Sequence, residues 1–233
     1  MIIGHGMVAK AFFRFRDDDK VLIFASGVSN SSETDTGKFE REQCLLTEAL
    51  ARHKDTLLVY FSTCSIEDKS ALSTRYVRHK IGMEKLISEN HERYLICRLP
   101  QAVGRSANRT TLVNYLCDKI VTNTEFTVWE NAFRYLIDID DAASIVSHII
   151  DKGVYCNRTL NICALRYSLE DIVRTLEEVT GKKARYTTVE KGTPYLLDNS
   201  DIAVTIQELN LQFDDTYLQK LLKKYCGKES DTR

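Results

Sequence analysis

The stretch MIIGHGMVA, residues 1–9, decides the fold, because a short apolar strand leads directly into a glycine-rich turn. The turn has the pattern G-x-G-x-x-A, in which Gly4, Gly6 and Ala9 hold the three fixed positions. The first glycine permits a tight bend, the second lets a phosphate approach the backbone, and the small third residue lets a helix pack on the strand. The pattern also fits an ordinary strand-to-helix turn, and its place after the first strand favours a dinucleotide phosphate site.

Downstream of this turn, strand-like apolar runs alternate with helical patterns. The strand-like runs are KVLIFASG, TLLVYFS and YLICRLP, and the helical segments are VAKAFFRF, FEREQCLLTEALARH, YVRHKIGMEKLISEN and TLVNYLCDKIV. Strands separated by helices of roughly ten or more residues are typical of right-handed βαβ units. We therefore predict an α/β fold with a doubly wound, mostly parallel sheet and helices on both faces.

After about residue 125 the elements become shorter. We expect a strand FTVWE, an acidic loop at residues 138–141, a helix AASIVSHII and a strand TLNIC. Ser168 is a typical N-cap for the helix IVRTLEEVT, and Gly181 is a typical stop signal at its end. The segment LQKLLKKYCGK, residues 218–228, has the pattern of an amphipathic helix that docks on the body.

The charge balance argues against a large anionic partner. Among 233 residues, 32 are Lys or Arg and 33 are Asp or Glu, for a formal net charge of −1. Because the chain has no broad basic field, we expect neither a nucleic acid nor an anionic membrane as a partner. We expect a small-molecule substrate instead. The sequence has no apolar run of membrane-spanning length and no signal-peptide pattern at its start, so we expect a cytoplasmic protein.

Cysteine and histidine spacing predicts no metal site. The seven cysteines are scattered and form no C-x-x-C pair, and the five histidines have no ligand-like spacing.

A second group of polar residues follows the strand TLLVYFS. It consists of Ser62, Thr63 and Cys64 at the strand end, and of the pattern Tyr76-x-x-x-Lys80 on the next helix. Residues four apart share a helix face, so the Lys80 ammonium is expected to lie beside the Tyr76 phenol and to lower its pKa toward a range useful for acid and base catalysis. Taken alone, the pattern also fits a surface helix with an incidental tyrosine and lysine.

Together and in this order, these motifs resemble the extended branch of the short-chain dehydrogenase/reductase superfamily, the NAD-dependent epimerases and dehydratases of nucleotide-linked sugars. VLIFASGVS is similar to the family's fourth strand and the following loop, FSTCS to its fifth strand, and YVRHKIGMEKLI to its catalytic helix. RLPQAVG resembles the segment that meets the nicotinamide and the sugar, and RYLIDIDDA, residues 134–142, resembles a segment of the substrate lobe. The resemblance implies a Rossmann-like core with a small C-terminal substrate lobe.

The resemblance also implies roles for individual residues. Tyr76 would be the acid/base, Lys80 its partner and a ribose ligand, and Thr63 the hydroxyl beside Tyr76, with Ser62 and Cys64 as alternatives if the alignment slips by one. A bound NAD or NADP would contact Gly4, His5, Gly6, Met7, Val8, Ala25, Ser26, Gly27, Ser62, Tyr76, Lys80, Leu99 and Pro100. The substrate would contact Val28, Ser29, Cys64, Asn108 and Arg134. Arg134 suits a phosphate and a structural ion pair equally well.

The sequence departs from the family near its N-terminus. Only RFRDDDK, residues 14–20, joins the first helix to the next strand, so the second and third strands of the family are missing. No acidic residue stands where the adenosine ribose would be held, because residues 26–32 occupy that region and Asp17, Asp18 and Asp19 fit a solvated turn. We expect the first strand to become a sheet edge and the cofactor to bind weakly.

Two functions follow as hypotheses. In the first, residues 1–100 form a shortened dinucleotide-binding core and residues 101–233 a substrate lobe interleaved with the end of that core. The protein would then be an NAD(P)-dependent reductase, or an epimerase, of a nucleotide-activated keto-sugar. In the second, it is a degenerate member that binds a nucleotide-sugar or assists assembly without redox chemistry. The family resemblance further implies a homodimer that pairs the helices FEREQCLLTEALARH and YVRHKIGMEKLISEN.

Overall fold

Strands and helices alternate along the chain in the computed structural model, which describes residues 1–106, 108 and 111–227. The strands are β1 (Ile2–Ile3), β2 (Val21–Phe24), β3 (Leu57–Thr63), β4 (Tyr94–Leu99), β5 (Gln101–Val103), β6 (Phe126–Trp129), β7 (Phe133–Asp138), β8 (Arg158–Asn161), β9 (Arg166–Ser168) and β10 (Tyr186–Val189). The α-helices are α1 (Met7–Ala11), α2 (Thr36–Arg52), α3 (Arg75–Asn90), α4 (Leu112–Val121), α5 (Ile139–Lys152), α6 (Leu169–Thr180), α7 (Ala203–Glu208) and α8 (Tyr217–Cys226). Lys228, at the end of the predicted C-terminal helix, and the rest of 228–233 lie outside the described residues.

The central sheet has five strands in the order β1-β2-β3-β4-β8, and every neighbouring pair is parallel. This confirms the predicted α/β fold with a parallel Rossmann-like sheet. In the part of the chain described, β1 pairs with β2 on one side and with no strand on the other, which confirms that the second and third strands of the family are missing. The Met1 ammonium donates hydrogen bonds to the carbonyls of Phe15, Asp18 and Val21 at 2.6, 2.6 and 2.7 Å, and so ties the short connection to the start of β1.

Helices cover both faces of the sheet. On one face, Leu46 of α2 and Met83 and Ile87 of α3 pack against Leu58 and Tyr60 of β3. On the other face, a larger apolar cluster joins the sheet to α1, α4, α5, α6 and α8. A parallel sheet that is covered on both sides needs apolar residues at consecutive positions. Accordingly, all four residues of β2 and six of the seven residues of β3 are buried.

The C-terminal half adds two small sheets and returns one strand, β8, to the main sheet. β5, β7 and β9 form a three-stranded sheet, and β6 pairs with β10. Residues 138–141 are not the predicted acidic loop. β7 extends to Asp138, whose side chain accepts a hydrogen bond from the Asp140 N–H at 2.9 Å and so caps α5 directly.

Cap signals located α6 correctly. The Ser168 hydroxyl accepts from the Asp171 N–H at 3.0 Å, and Gly181 ends the helix with a φ of 67°, in the left-handed region that favours glycine. Within the described ranges, none of the helices is both long enough and apolar enough to span a bilayer.

Candidate active site

A cavity of about 360 Å³ opens at the carboxyl ends of the parallel strands. Its walls come from the segments that directly follow β1, β2, β3 and β4, and from the start of α3. In open α/β sheets this edge is where ligands bind, because the loops that leave the strands there enclose a crevice.

Most of the predicted site residues line this cavity. They are Gly6, Met7, Val8, Ala25, Gly27, Val28, Ser29, Ser62, Thr63, Cys64, Tyr76, Lys80, Leu99, Pro100 and Asn108. Four predicted residues, Gly4, His5, Ser26 and Arg134, are not among the lining residues. His5 is exposed, the Ser26 hydroxyl accepts from the Arg41 guanidinium at 3.2 Å, and Arg134 donates to the Phe133 carbonyl at 2.8 Å.

The two glycines of the N-terminal turn differ in their surroundings. Gly4 has a φ of 127°, and a Cβ there would collide with the Ala25 carbonyl, so Gly4 lets β1 and β2 come together at their ends. Gly6 has an ordinary φ of −74°, and a Cβ there would meet no other atom within 4 Å. The space beside Gly6 belongs to the cavity and is open to a ligand.

Tyr76 lies in the first turn of α3, where the Thr74 hydroxyl caps the helix by accepting from the Val77 N–H at 3.2 Å. Its phenol lies close enough to the side chain of Thr63, at the end of β3, for Thr63 to affect its pKa. Burial raises the pKa of Tyr76 to about 12, although Thr63 acts in the opposite direction. The phenol is therefore neutral at physiological pH and able to donate a proton.

The Lys80 ammonium does not act on Tyr76 as expected. It is fully buried and donates to Glu42 Oε1 at 2.8 Å, to the Tyr60 hydroxyl at 3.0 Å and to the Phe61 carbonyl at 3.4 Å. The expectation that Lys80 lowers the pKa of Tyr76 is wrong for this structure, because a buried carboxylate on α2 takes up the ammonium. Spacing within α3 could not reveal that competitor.

The two alternatives to Thr63 differ from it in their hydrogen bonds. The Cys64 thiol donates to the Arg98 carbonyl at 3.2 Å, and burial raises its pKa well above the usual value, so it is an unreactive neutral thiol. Ser62 is buried, and its hydroxyl has no hydrogen-bond partner in the described part of the chain. A buried polar atom without a partner is costly, so Ser62 marks a place where a ligand or water completes the site.

Sequence reasoning missed several cavity residues. They are Phe24, Asn30, Ser31, Phe61, Ser65, Gln101, Ala102, Ser106, Thr111 and Tyr195. Five of the ten, Phe24, Asn30, Phe61, Ser65 and Gln101, directly adjoin predicted positions, so the signal was present in the same segments. Tyr195 is different, because it comes from an irregular C-terminal segment that no periodicity connects to the cavity.

The cavity residues fit a bound dinucleotide at two points that the structure shows. The open space beside Gly6 allows a phosphate to approach the backbone, and Ser62, whose hydroxyl has no partner among the described residues, lines the same cavity. Ala25 and Gly27 line the same cavity.

Comparison with known proteins supports the fold. No family model matches the chain, and no curated protein matches it at a significant level. Among solved structures, UDP-glucuronic acid 4-epimerase from Bacillus cereus, in complex with UDP-glucuronic acid and NAD, is 17% identical with a TM-score of 0.71, and the match covers 93% of this chain and 76% of that chain. UDP-glucose 4-epimerase from Bifidobacterium longum, with NAD⁺ and UDP, is 13% identical with a TM-score of 0.72, covering 94% and 78%.

A third similar structure holds a different cofactor. RMD from Pseudomonas aeruginosa, complexed with NADPH, is 12% identical with a TM-score of 0.71, and the match covers 89% of this chain and 80% of that chain. At these identities the likeness concerns the fold. The chain therefore has the Rossmann-like fold of the nucleotide-sugar epimerases and dehydratases that it resembles, in a shortened form.

Proposed function

We propose that this protein is an NAD(P)-dependent reductase of a nucleotide-activated keto-sugar. The observation that carries the proposal is one cavity that is lined both by Gly6, with open space beside it, and by Tyr76 and Thr63. The glycine turn suits a dinucleotide phosphate, and Tyr76 offers a proton donor.

The chain's own residues would divide the work along the cavity. Gly6, Met7 and Val8 would hold the cofactor phosphates, and Leu99 and Pro100 its nicotinamide end. When bound, the reduced nicotinamide would supply a hydride. The Tyr76 hydroxyl would give its proton to the carbonyl oxygen of the sugar, while Thr63 holds the phenol in place.

The neutral form of the Tyr76 phenol suits reduction better than the reverse reaction. A phenol with a pKa of about 12 is in its donor form at neutral pH, as carbonyl reduction requires, whereas oxidation of an alcohol requires the phenolate. An epimerase must run both half-reactions on the same residue, so this protonation state suits it less.

Substrate contacts would come from the outer part of the cavity. Val28 and Ser29 line it from the loop after β2, Asn108 from the segment before α4, and Tyr195 from the C-terminal half. The similar epimerases hold UDP or a UDP-sugar in their structures, which is why we propose a nucleotide-linked sugar here.

Turnover tests this function directly. Purified protein is mixed with NADH or NADPH and a panel of nucleotide-activated keto-sugars, and the loss of reduced-nicotinamide absorbance is followed. We expect turnover with at least one substrate, and a loss of at least about 100-fold in Tyr76→Phe because the proton donor is removed. Tyr115→Phe, on α4 and outside the cavity lining, is the matched control and keeps the wild-type rate.

A second candidate is a nucleotide-sugar binding protein without redox activity. It is favoured by the engagement of Lys80, whose donors are used within the protein. Calorimetric binding of a nucleotide-sugar, together with no oxidation of either reduced cofactor, would select this candidate over the reductase.

We also propose that two copies associate through α2 and α3. Both helices lie on the same face of the sheet, and Ile81 of α3 exposes 41% of its surface. Sedimentation of the wild type should give a dimer, and Ile81→Lys should shift it toward the monomer. A monomeric wild type would contradict the proposal.

A further inference from the structure

The carboxylate of Glu42 lies in the interior beside the proposed active site. It projects from α2 and has 0% of its surface exposed, in a chain where most acidic residues are at the surface. Carboxylates are buried in this way only where charges and hydrogen bonds compensate for the loss of water.

All four acceptor positions of this carboxylate are in use. Oε1 accepts from the Tyr60 hydroxyl at 2.6 Å and from Lys80 at 2.8 Å, while Oε2 accepts from the Val28 N–H at 2.7 Å and lies 3.0 Å from His79 Nε2. Burial alone would raise the pKa of Glu42, but the bond from His79 and the charge of Lys80 lower it to about 2. Glu42 is therefore ionised throughout the physiological range.

The ammonium of Lys80 has no donor left for Tyr76. An ammonium carries three N–H groups, and in the described structure Glu42, Tyr60 and the Phe61 carbonyl take all three. Tyr76 instead lies near the neutral hydroxyl of Thr63, and the negative charge of Glu42 adds to the effect of burial on its pKa.

The loop above the ion pair fits this arrangement closely. A Cβ on Gly27 would lie 2.6 Å from Lys80 Nζ and 2.9 Å from Glu42 Oε1, so the backbone of the cavity wall rests directly on the two charges. The bond from the Val28 N–H holds the same loop to the carboxylate. Glu42 thus holds both Lys80 and the Gly27–Val28 loop that lines the cavity.

The other titratable groups around Tyr76 do not supply a positive charge to it. Tyr60 of β3, Cys64 after β3 and Tyr195 have pKa values raised by burial and are neutral. On its own helix, His79 faces Glu42, and Glu84 is bonded to the Arg98 guanidinium at 2.7 and 3.0 Å.

We propose that Glu42 is a positioning residue: it holds the Lys80 ammonium against its own carboxylate, the Tyr60 hydroxyl and the Phe61 carbonyl, so that the ammonium does not activate the Tyr76 phenol. The direction of proton transfer rests on the function proposed above. The protonation state of Tyr76 does not, since it is a property of the protein without any ligand.

The test measures that protonation state by NMR. The protein is labelled with ¹³Cζ-tyrosine, the Tyr76 signal is assigned from its absence in Tyr76→Phe, and its chemical shift is followed with pH. In the wild type we expect a neutral phenol up to about pH 10. In Glu42→Gln, which keeps the shape but removes the negative charge that helps to raise the Tyr76 pKa and releases Lys80 from its carboxylate partner, we expect the midpoint to fall by at least about one pH unit, a tenfold increase in phenolate at a given pH.

Glu84→Gln is the matched control. It also removes a carboxylate on α3, the helix of Tyr76, but the partner of this carboxylate is Arg98 and not Lys80. It should leave the Tyr76 midpoint unchanged. An unchanged midpoint in Glu42→Gln, or a shift of the same size in the control, overturns the proposal.

Glu42→Gln leaves a buried cation unpaired and could fail to fold. The wild-type titration then decides, because a Tyr76 midpoint below about pH 9 shows an activated phenol and overturns the proposal by itself. A protonated Tyr76 in a protein that turns over no nucleotide-sugar would instead contradict the reductase assignment and leave the role of Glu42 standing.

Discussion

At the scale of single residues, Gly4 and Gly6 show how one motif combines structural and ligand-facing positions. Gly4 alone has the backbone conformation and the close contact with Ala25 that exclude a side chain. Gly6 has neither constraint, and the proposed function assigns its glycine to the approach of a phosphate from the cavity. The pattern in the sequence could not separate these roles, because both depend on the position of β2.

Alanine substitutions should separate them experimentally. Gly6→Ala should change the free energy of unfolding by no more than about 1 kcal/mol and weaken NADH binding at least about tenfold, because its methyl group enters the phosphate site. Gly4→Ala should destabilise the fold by more than about 2 kcal/mol through backbone strain and collision. Chemical denaturation and fluorescence titration measure the two effects. Wild-type NADH binding by Gly6→Ala would place the phosphate elsewhere.

At the scale of elements, the main sheet and its helices could be predicted and the pairing of side chains between them could not. Apolar runs located β2, β3 and β4, and cap residues located α6, because both signals are local. β7 was missed as a strand, since its polar end at Asp138 gives the pattern of a loop. The Glu42–Lys80 pair joins α2 to α3 across 38 positions of sequence, and neither helix pattern points to the other.

The buried pair between α2 and α3 should make the fold sensitive to acid. The pKa of Glu42 is about 2 in the folded protein and near 4.5 in an unfolded chain, so the unfolded chain binds the proton more tightly. The resulting stability is present above about pH 4.5 and is lost as the pH falls toward 2, by up to about 3 kcal/mol.

Denaturation between pH 6 and the acid limit of folding, in steps of about half a unit, measures this loss. Glu42→Gln should lose most of the acid dependence and be less stable near neutral pH, because Lys80 is left unpaired. Glu89→Gln, on the exposed side of α3, should follow the wild-type curve to within about 0.5 kcal/mol. A wild-type curve that is flat from pH 5 to about 3 would contradict the low pKa of Glu42.

At the scale of the whole molecule, the shortened sheet determines how much of a dinucleotide can be enclosed. Doubly wound sheets bind a dinucleotide with one mononucleotide half on each side of the crevice. Here β1 lies at the sheet edge, and no described residue between Val8 and Phe24 lines the cavity. The half of the site that would contact adenosine is correspondingly open, whereas Thr63, Tyr76 and Leu99 all line the cavity on the other side of the proposed site.

This geometry predicts little discrimination between the two nicotinamide cofactors. NADP differs from NAD by a phosphate on the adenosine ribose, which acidic or arginine side chains distinguish in complete sheets. With that part of the wall missing, the dissociation constants for NADH and NADPH should differ by less than about fivefold, about 1 kcal/mol. A preference above about 100-fold would show that other residues hold the adenosine ribose.

Fluorescence titration of the purified wild-type protein with NADH and NADPH tests the central claim most directly, because the whole proposal requires a nicotinamide dinucleotide in the cavity beside Gly6 and Tyr76. Saturable binding of both cofactors, with Kd values on the order of 100 µM and strong weakening in Gly6→Ala, is the result we predict. If neither cofactor binds saturably up to millimolar concentration, the reductase proposal is contradicted.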